Sequence, residues 1–293
     1  MNIAQRLIKA DQTSPKLILV IGDGMTDIYI HGRLEDTCQE GCQKFIEEKR
    51  IAVPGGAANA ARSLSHWYTR AVFLGPTRAG PTKTRFIAKG GDGKDWCAFR
   101  HDDDHVNFHL SLVREESMYA LTKLPRRPNA VLLTDYDKGM LTPEFIKEVM
   151  DECKNQDIPC VADCKQEPMV YDGCVAKCNY NYSKRFGFNP PEGNCTDIPR
   201  PFVITQGSYG PIIVERGRGA DRVDGHNRLP LVPCVNHVGA GDCFAAHLTL
   251  ALAHGFSLRD AAAIAHSAGR VYVQHPHNRP PRPEEIAEDM ENV

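Results

Sequence analysis

A chain of 293 residues, 42% hydrophobic and 25% charged, has the make-up of an ordinary globular protein, long enough for one large core or two modest ones. Its 35 basic and 37 acidic residues leave a formal charge of −2 and no basic field, which argues against a nucleic-acid partner. No apolar run approaches the roughly 20 residues of a membrane helix, and residues 1–15 lack the apolar core and small-residue cleavage site of a secretory signal. The expectation is a cytoplasmic protein without a membrane partner, in which eleven cysteines are free thiols. Cys160, Cys164, Cys174 and Cys178 form two pairs, each with three residues between. On extended strands, at about 3.3 Å per residue, the thiols of a pair stand roughly 13 Å apart, too far to share an ion. A turn could join Cys38 to Cys42, but two ligands without a histidine do not close a zinc site. No metal ligand is assigned.

In chain order, residues 16–21 are a short apolar run ending in Gly22-Asp23-Gly24, the pattern of a buried parallel strand that delivers a loop at its carboxyl end. Residues 71–74, 130–134, 158–162, 174–177 and 202–205 repeat that pattern, with helical or loop segments between most of them. The alternation predicts a doubly wound, mostly parallel α/β sheet. Residues 28–53 and 84–100 alternate with polar interruptions instead, predicting a small β-lid. Residues 179–201, rich in Pro, Gly and Asn, read as loop. Residues 242–254 and 258–273 are Ala-rich helical runs, the first closed by Gly255. No linker divides the chain, so residues 1–293 read as a single domain.

Val238-Gly239-Ala240-Gly241-Asp242 stands directly before the first of those helices. Two glycines allow close backbone approach, and the helix's first-turn amides and dipole suit anionic oxygens. Asp242 reads either as a base taking a proton from a hydroxyl while those amides hold phosphoryl charge, or as a simple helix cap. Pro54-Gly55-Gly56-Ala57-Ala58-Asn59 reads either as a docking turn for a polar ligand or as a tight strand-to-helix turn.

Both segments, in this order, resemble the PfkB or ribokinase family of carbohydrate kinases, most closely the heptose-7-phosphate kinase domain of the bifunctional heptose kinase/adenylyltransferases. Residues 20–27, ending in Asp27, are similar to that group's first strand. Residues 54–61 resemble its P-G-G-A-A-N turn. Thr82-Lys83-Thr84-Arg85 with Arg100-His101-Asp102 resemble lid elements. Thr134-Asp135-Tyr136-Asp137-Lys138-Gly139 and Ala162-Asp163-Cys164-Lys165 resemble the S-D-Y-x-K-G loop and the D-P-K turn, and Thr205-Gln206-Gly207 with Gly210 completes the nucleotide side.

The resemblance implies a ribokinase-like fold and an ATP- and Mg2+-dependent transfer to a sugar or sugar phosphate, in the manner of a D-glycero-D-manno-heptose 7-phosphate 1-kinase. It makes Asp242 the base, with Gly239, Ala240 and Gly241 at the transferred phosphate. Asp27, Gly55, Gly56 and Asn59 would hold the sugar, and Arg85, Lys138 and Arg100 its phosphate. Lys165, Asn179, Thr205, Gly207, Gly210 and His266 would line the nucleotide, and the lid would also build a homodimer. Three departures stand out. The N-x-x-E acid that organises magnesium is missing from Asn179-Tyr180-Asn181-Tyr182, Asn236-His237-Val238 replaces the D-x-T of a monovalent-cation site, and lid residues 35–49 diverge. A sugar- or nucleotide-binding protein without transfer, and a kinase for another sugar or nucleoside, are the competing readings. A dinucleotide oxidoreductase is disfavoured, because the first loop lacks a third glycine and places acids where pyrophosphate would sit.

Overall fold

The computed structural model describes residues 1–76, 80–90, 93–105, 109–171, 173–185, 187, 201–215, 220–223 and 229–292. Helix α1 (Ile3–Thr13), capped reciprocally by Asn2 and Gln5, leads into β1 (Leu17–Gly22). The chain then forms the hairpin β2 (Gly24–Thr37) and β3 (Gln43–Gly56) and returns through α2 (Ala57–Arg62) to β4 (Arg70–Leu74). A second excursion gives β5 (Thr82–Lys89) and β6 (Asp95–Asp103). Helix α3 (Leu110–Thr122), β7 (Ala130–Thr134), α4 (Pro143–Asn155), β8 (Cys160–Asp163) and β9 (Val175–Asn179) continue the winding. Next come α5 (Tyr180–Arg185), β10 (Phe202–Thr205), β11 (Pro211–Val214) and β12 (Ala220–Arg222), then α6 (Ala240–Ala253), α7 (Leu258–Val273) and α8 (Pro283–Glu291).

Eight strands make the main sheet in the order β12-β11-β10-β9-β8-β7-β1-β4, parallel from β4 to β10 with β11 and β12 antiparallel at one edge. The parallel strands inside the sheet, β1, β7, β8, β9 and β10, are largely buried on both faces, as crossover helices require, whereas the edge strand β4 is only half-buried. Ile18 and Val20 pack beneath α1, α2, α6 and α7, while Leu19 and Ile21 pack against α3 and α4. From β1 the chain goes first to β4 on one side and later to β7 on the other. The winding reverses there, and the crevice at the carboxyl ends of β1 and β7 is where such sheets place ligands.

The second sheet has the order β3-β2-β5-β6. Residues 28–37, 43–53, 84–89 and 95–100 lie in its strands, which begin at Gly24 and Thr82 and extend to Gly56 and Asp103. The expected Gly22-Asp23-Gly24 loop is a single residue, Asp23, so β1 passes almost directly into β2. Register pairs Asp27 with Lys83, Tyr29 with Arg85, Arg85 with Arg100 and Lys83 with Asp102. Strand alternation therefore puts these six residues on one face, and Phe86 and Phe99 on the other.

Four elements depart from the sequence reading. The strand expected over 158–162 begins at Cys160, because Pro159 cannot donate to the ladder; the Pro159 carbonyl accepts instead, from Val131 N–H at 3.0 Å. Residues 174–177 shift to Val175–Asn179. Within the expected loop 179–201, Tyr180–Arg185 is helical, initiated by Asn179, whose Oδ1 accepts from Tyr182 N–H at 2.9 Å; residues 186 and 188–200 lie outside the described residues. The helix read over 242–254 starts earlier, at Ala240, with Gly255 in the left-handed region just beyond its end. No helix among the described residues is long and apolar enough to cross a membrane.

Candidate active site

Gly239 turns the chain into α6 at φ +83, and a Cβ there would lie 2.4 Å from Asn59 Nδ2 and 2.5 Å from the Tyr272 hydroxyl. No side chain caps this helix, so its first-turn amides face outward at the positive end of the dipole. Asp242 sits in that first turn, buried. Its Oδ2 accepts from Asn59 Nδ2 at 3.0 Å, and its Oδ1 accepts from the Tyr136 hydroxyl. Burial pushes the Asp242 carboxyl up to about 6, against the two hydrogen bonds that pull it down. Burial, then the charges of Asp242 and Asp163, push the Tyr136 phenol well above its ordinary value, so it stays a donor. Asn59 Nδ2 also lies within hydrogen-bond distance of the Gly239 carbonyl, 3.3 Å, and the Tyr272 hydroxyl, 3.2 Å. The residue expected to face the sugar is thus tied to the carboxylate.

Beside α6 lies a cavity of about 700 Å³. Lys165, Asn179, Thr205, Gly207, Gly210 and His266 line it, together with Ala240 and Gly241. Two lysines enter on its floor. Lys177 Nζ is 2.9 Å from Asp163 Oδ2, and Lys165 Nζ is 3.4 Å from Asp163 Oδ1. Burial alone would raise Asp163, but the two lysines hold it below the usual carboxylate range. Lys177 was not singled out from sequence, although a lysine inside the apolar run of β9 is a signal. A side chain at position 241 would come within 3.0 Å of its Nζ, so Gly241 is the opening through which the lysine meets the start of α6.

The opposite side of Asp242 carries the residues expected to hold the sugar. Asp27 is buried and ion-paired with Arg85 at 2.7 Å, and its other oxygen accepts from Asn278 Nδ2 at 3.2 Å. A Cβ at Gly55 would fall 2.5 Å from Asp27 Oδ2, and one at Gly56 would fall 2.5 Å from the Asp23 carbonyl oxygen. Asp23, missed from sequence, anchors the 136–140 loop by accepting from the N–H groups of Tyr136 at 2.8 Å, Lys138 at 3.2 Å and Met140 at 3.1 Å. Lys138 reaches Asp104 at 2.6 Å. Arg100, 55% exposed at its side chain, pairs with Asp102 at 2.8 Å. Lys83, also missed, lies over the Tyr136 ring; burial, opposed by Asp102 and reinforced by Lys138 and Arg100, draws its ammonium below the ordinary value. Lys138 and Arg100 thus lie near enough to act on the Lys83 ammonium beside Tyr136, while each is itself paired with an aspartate.

A magnesium ion needs oxygen ligands. Asp163 is occupied by two lysines and Asp242 by Tyr136 and Asn59, while Tyr182 stands where an acid would be needed. The donor set among the described residues does not make a protein-built magnesium site. A divalent ion entering with a nucleotide would be held by the phosphates.

Residues 195–285 match the model of the pfkB family carbohydrate kinases. The chain is 26% identical over 312 residues to the bifunctional protein HldE of Bradyrhizobium diazoefficiens, covering 90% of this chain and 60% of the relative. It is 26% identical over 297 residues to HldE of Caulobacter vibrioides, covering 88% and 60%. The chain thus spans three-fifths of the length of these relatives. Among solved structures, a putative ribokinase from Agrobacterium tumefaciens superposes with a TM-score of 0.68 at 18% identity, covering 95% of this chain and 98% of the other. Arabidopsis thaliana ribokinase complexed with ribose and ATP gives 0.63 at 16%, covering 96% and 100%. These likenesses show a ribokinase-like α/β fold. The matched segment, which takes in Thr205, Asp242 and His266, is similar to the pfkB family carbohydrate kinases, and the ribokinase-like fold extends over the rest of the chain.

Proposed function

We propose that this chain transfers the γ-phosphoryl group of ATP to a hydroxyl of a phosphorylated sugar, of the class of D-glycero-D-manno-heptose 7-phosphate. The observation that carries the reading is Asp242 itself: a buried carboxylate at the uncapped start of α6, between the 700 Å³ cavity and the Gly55-Gly56 turn. With its carboxyl up to about 6, Asp242 remains ionised at neutral pH yet is a better proton acceptor than an ordinary aspartate. Tyr136 and Asn59 orient it. The acceptor hydroxyl gives its proton to Asp242 as its oxygen attacks the γ-phosphorus, and ADP departs with the electrons of the broken P–O bond. First-turn amides of α6, with Lys177 and Lys165, would hold phosphoryl oxygens as charge develops. ATP would lie against Thr205, Gly207, Gly210, Asn179 and His266.

The acceptor would lie between Asp27, Gly55, Gly56 and the second sheet, which would act as a lid over a single catalytic domain. The cationic group of Lys83, Lys138 and Arg100 supports a phosphate on that acceptor, and two HldE relatives support the heptose class. The outer face of the lid carries Phe45, Phe86 and Phe99 in ring contact, with Phe99 57% and Trp96 48% exposed, which supports self-association through this sheet.

The test is acceptor-dependent ADP release from ATP and Mg2+ over a panel of free and phosphorylated sugars, with Asp242→Asn in parallel. Heptose 7-phosphate should give the highest rate, and the variant should bind ATP normally but turn over about 10²–10⁴-fold more slowly. ATP binding without ADP release on any acceptor would replace the kinase with a nucleotide-binding protein. Release on an unphosphorylated sugar alone would refute the sugar-phosphate assignment.

A further inference from the structure

At the tip of the β2–β3 hairpin the Cys38 N–H donates to the Cys42 carbonyl at 2.9 Å and the Gly41 N–H donates to the Cys38 carbonyl at 2.9 Å, closing a tight turn with Gly41 at φ +79. The two sulfurs are 2.8 Å apart. Cys42 is exposed and Cys38 half-buried, whereas Cys153, Cys160, Cys164, Cys174, Cys178 and Cys243 are buried. Cys160 and Cys174 also approach to 2.9 Å, but they are sealed in the core. The hairpin pair is therefore a close dithiol that a reagent in solution can reach.

Two chemistries suit a close dithiol, and the distance separates them. The Glu40 carboxylate is near enough to complete a three-ligand cluster with both sulfurs. Yet two thiolates on one tetrahedral zinc ion, each at about 2.3 Å from the metal, stand roughly 3.8 Å apart. A separation of 2.8 Å is too short for that, and it is also too short for two like charges. It lies inside ordinary non-bonded sulfur contact and short of a covalent bond of about 2.05 Å, so the turn already holds the two sulfurs where an S–S bond closes with little movement. The Cys42 S–H, and then backbone amides of the turn, lower the Cys38 thiol, while the same contact raises Cys42. Cys38 is thus the better-ionised nucleophile and Cys42 the thiol waiting beside it.

We infer that Cys38 and Cys42 form a redox-active dithiol that reacts with small-molecule disulfides and becomes an intrachain disulfide across the hairpin tip. The Cys38 thiolate attacks one sulfur of the disulfide R–S–S–R, forming a mixed disulfide and expelling RS⁻. Cys42 then loses its proton and attacks the Cys38 sulfur, expelling the second RS⁻. The two cysteines give up two protons and two electrons, and the reagent becomes two thiols. The inference rests on the hairpin alone and is independent of the kinase assignment.

The test uses the full chain in graded mixtures of reduced and oxidised glutathione, quenched in acid, alkylated and mapped by peptide mass spectrometry. The peptide holding Cys38 and Cys42 should lose two hydrogens and resist alkylation in mixtures that leave the exposed Cys97 and Cys234 reduced. Cys42→Ser should trap one glutathione on Cys38, and Cys38→Ser should leave Cys42 no more reactive than Cys97. Both changes fall on a solvent-facing tip, so folding is not at stake. The inference is overturned if the hairpin cysteines stay alkylatable while Cys97 and Cys234 are modified, or if each takes its own glutathione. Retention of one zinc ion per reduced chain against a chelator, lost in Cys38→Ser, would overturn it in favour of a metal.

Discussion

Asp242 has both carboxylate oxygens engaged and its charge buried, so its acidity is set by opposing effects of which burial is the larger. The sign of the resulting pH dependence follows. Its carboxyl lies up at about 6, so lowering the pH through that value protonates it and should remove the activity proposed to depend on it as base, whereas an ordinary aspartate would stay ionised to about 4. We expect kcat/KM to fall about tenfold per pH unit below about 6, with no such limb in the residual activity of Asp242→Asn; a flat profile down to pH 5 would exclude Asp242 as the base. Lys177 makes a different prediction. Its ammonium and the Asp163 carboxylate are both buried, and removing one member of such a pair leaves the other uncompensated. Lys177→Met should cost about 3–5 kcal/mol in urea unfolding, reduced by what Lys165 still supplies to Asp163, and should weaken ATP binding. Unchanged stability would mean that Lys165 carries the charge balance alone.

The start of α6 depends on one backbone conformation. Gly239→Ala would force an L-residue to φ +83, which costs roughly 1–2 kcal/mol, and would drive its methyl into Asn59 and Tyr272. The expected result is a folded protein with unchanged helix content by circular dichroism and a kcat lowered more than tenfold, because the amides and Asp242 shift together. Full activity in that variant would show that this turn need not be held so closely. The same segment shows what can be read locally. Gly239 to Asp242 before an Ala-rich run signals a helix start with a carboxylate in its first turn, since propensity, glycine and charge are all properties of neighbours in sequence. That Asn59, 183 residues away, holds the Asp242 carboxylate is not such a property. Nor is the anchoring of the 136–140 loop by Asp23, which read as part of a loop and became the hinge between two sheets.

At the scale of the molecule, the second sheet shows a polar face, buried around Asp27 and Arg85, and an aromatic outer face. If the outer face joins two copies, sedimentation velocity should show a concentration-dependent dimer, and Phe99→Arg, placing a charge among Phe45, Phe86 and Trp96, should yield monomers. A wild-type protein that remains monomeric at all concentrations would assign that face elsewhere. The strands of the main sheet, their parallel winding and the last helices were legible from sequence because a strand buried on both faces must be apolar throughout, and an amphipathic or Ala-rich run must be helical. Only the tertiary structure decided the charge pairing. Asp27 meets Arg85, Lys138 meets Asp104, and Lys177 meets Asp163, because strand register and loop closure set which charges become neighbours. The sequence by itself determined the α/β winding and the glycine-led helix start with its first-turn carboxylate, whose causes are local. How the charges around Asp242 are paired, and how its carboxylate is held, depend on contacts between residues up to hundreds of positions apart, which one-dimensional pattern does not encode.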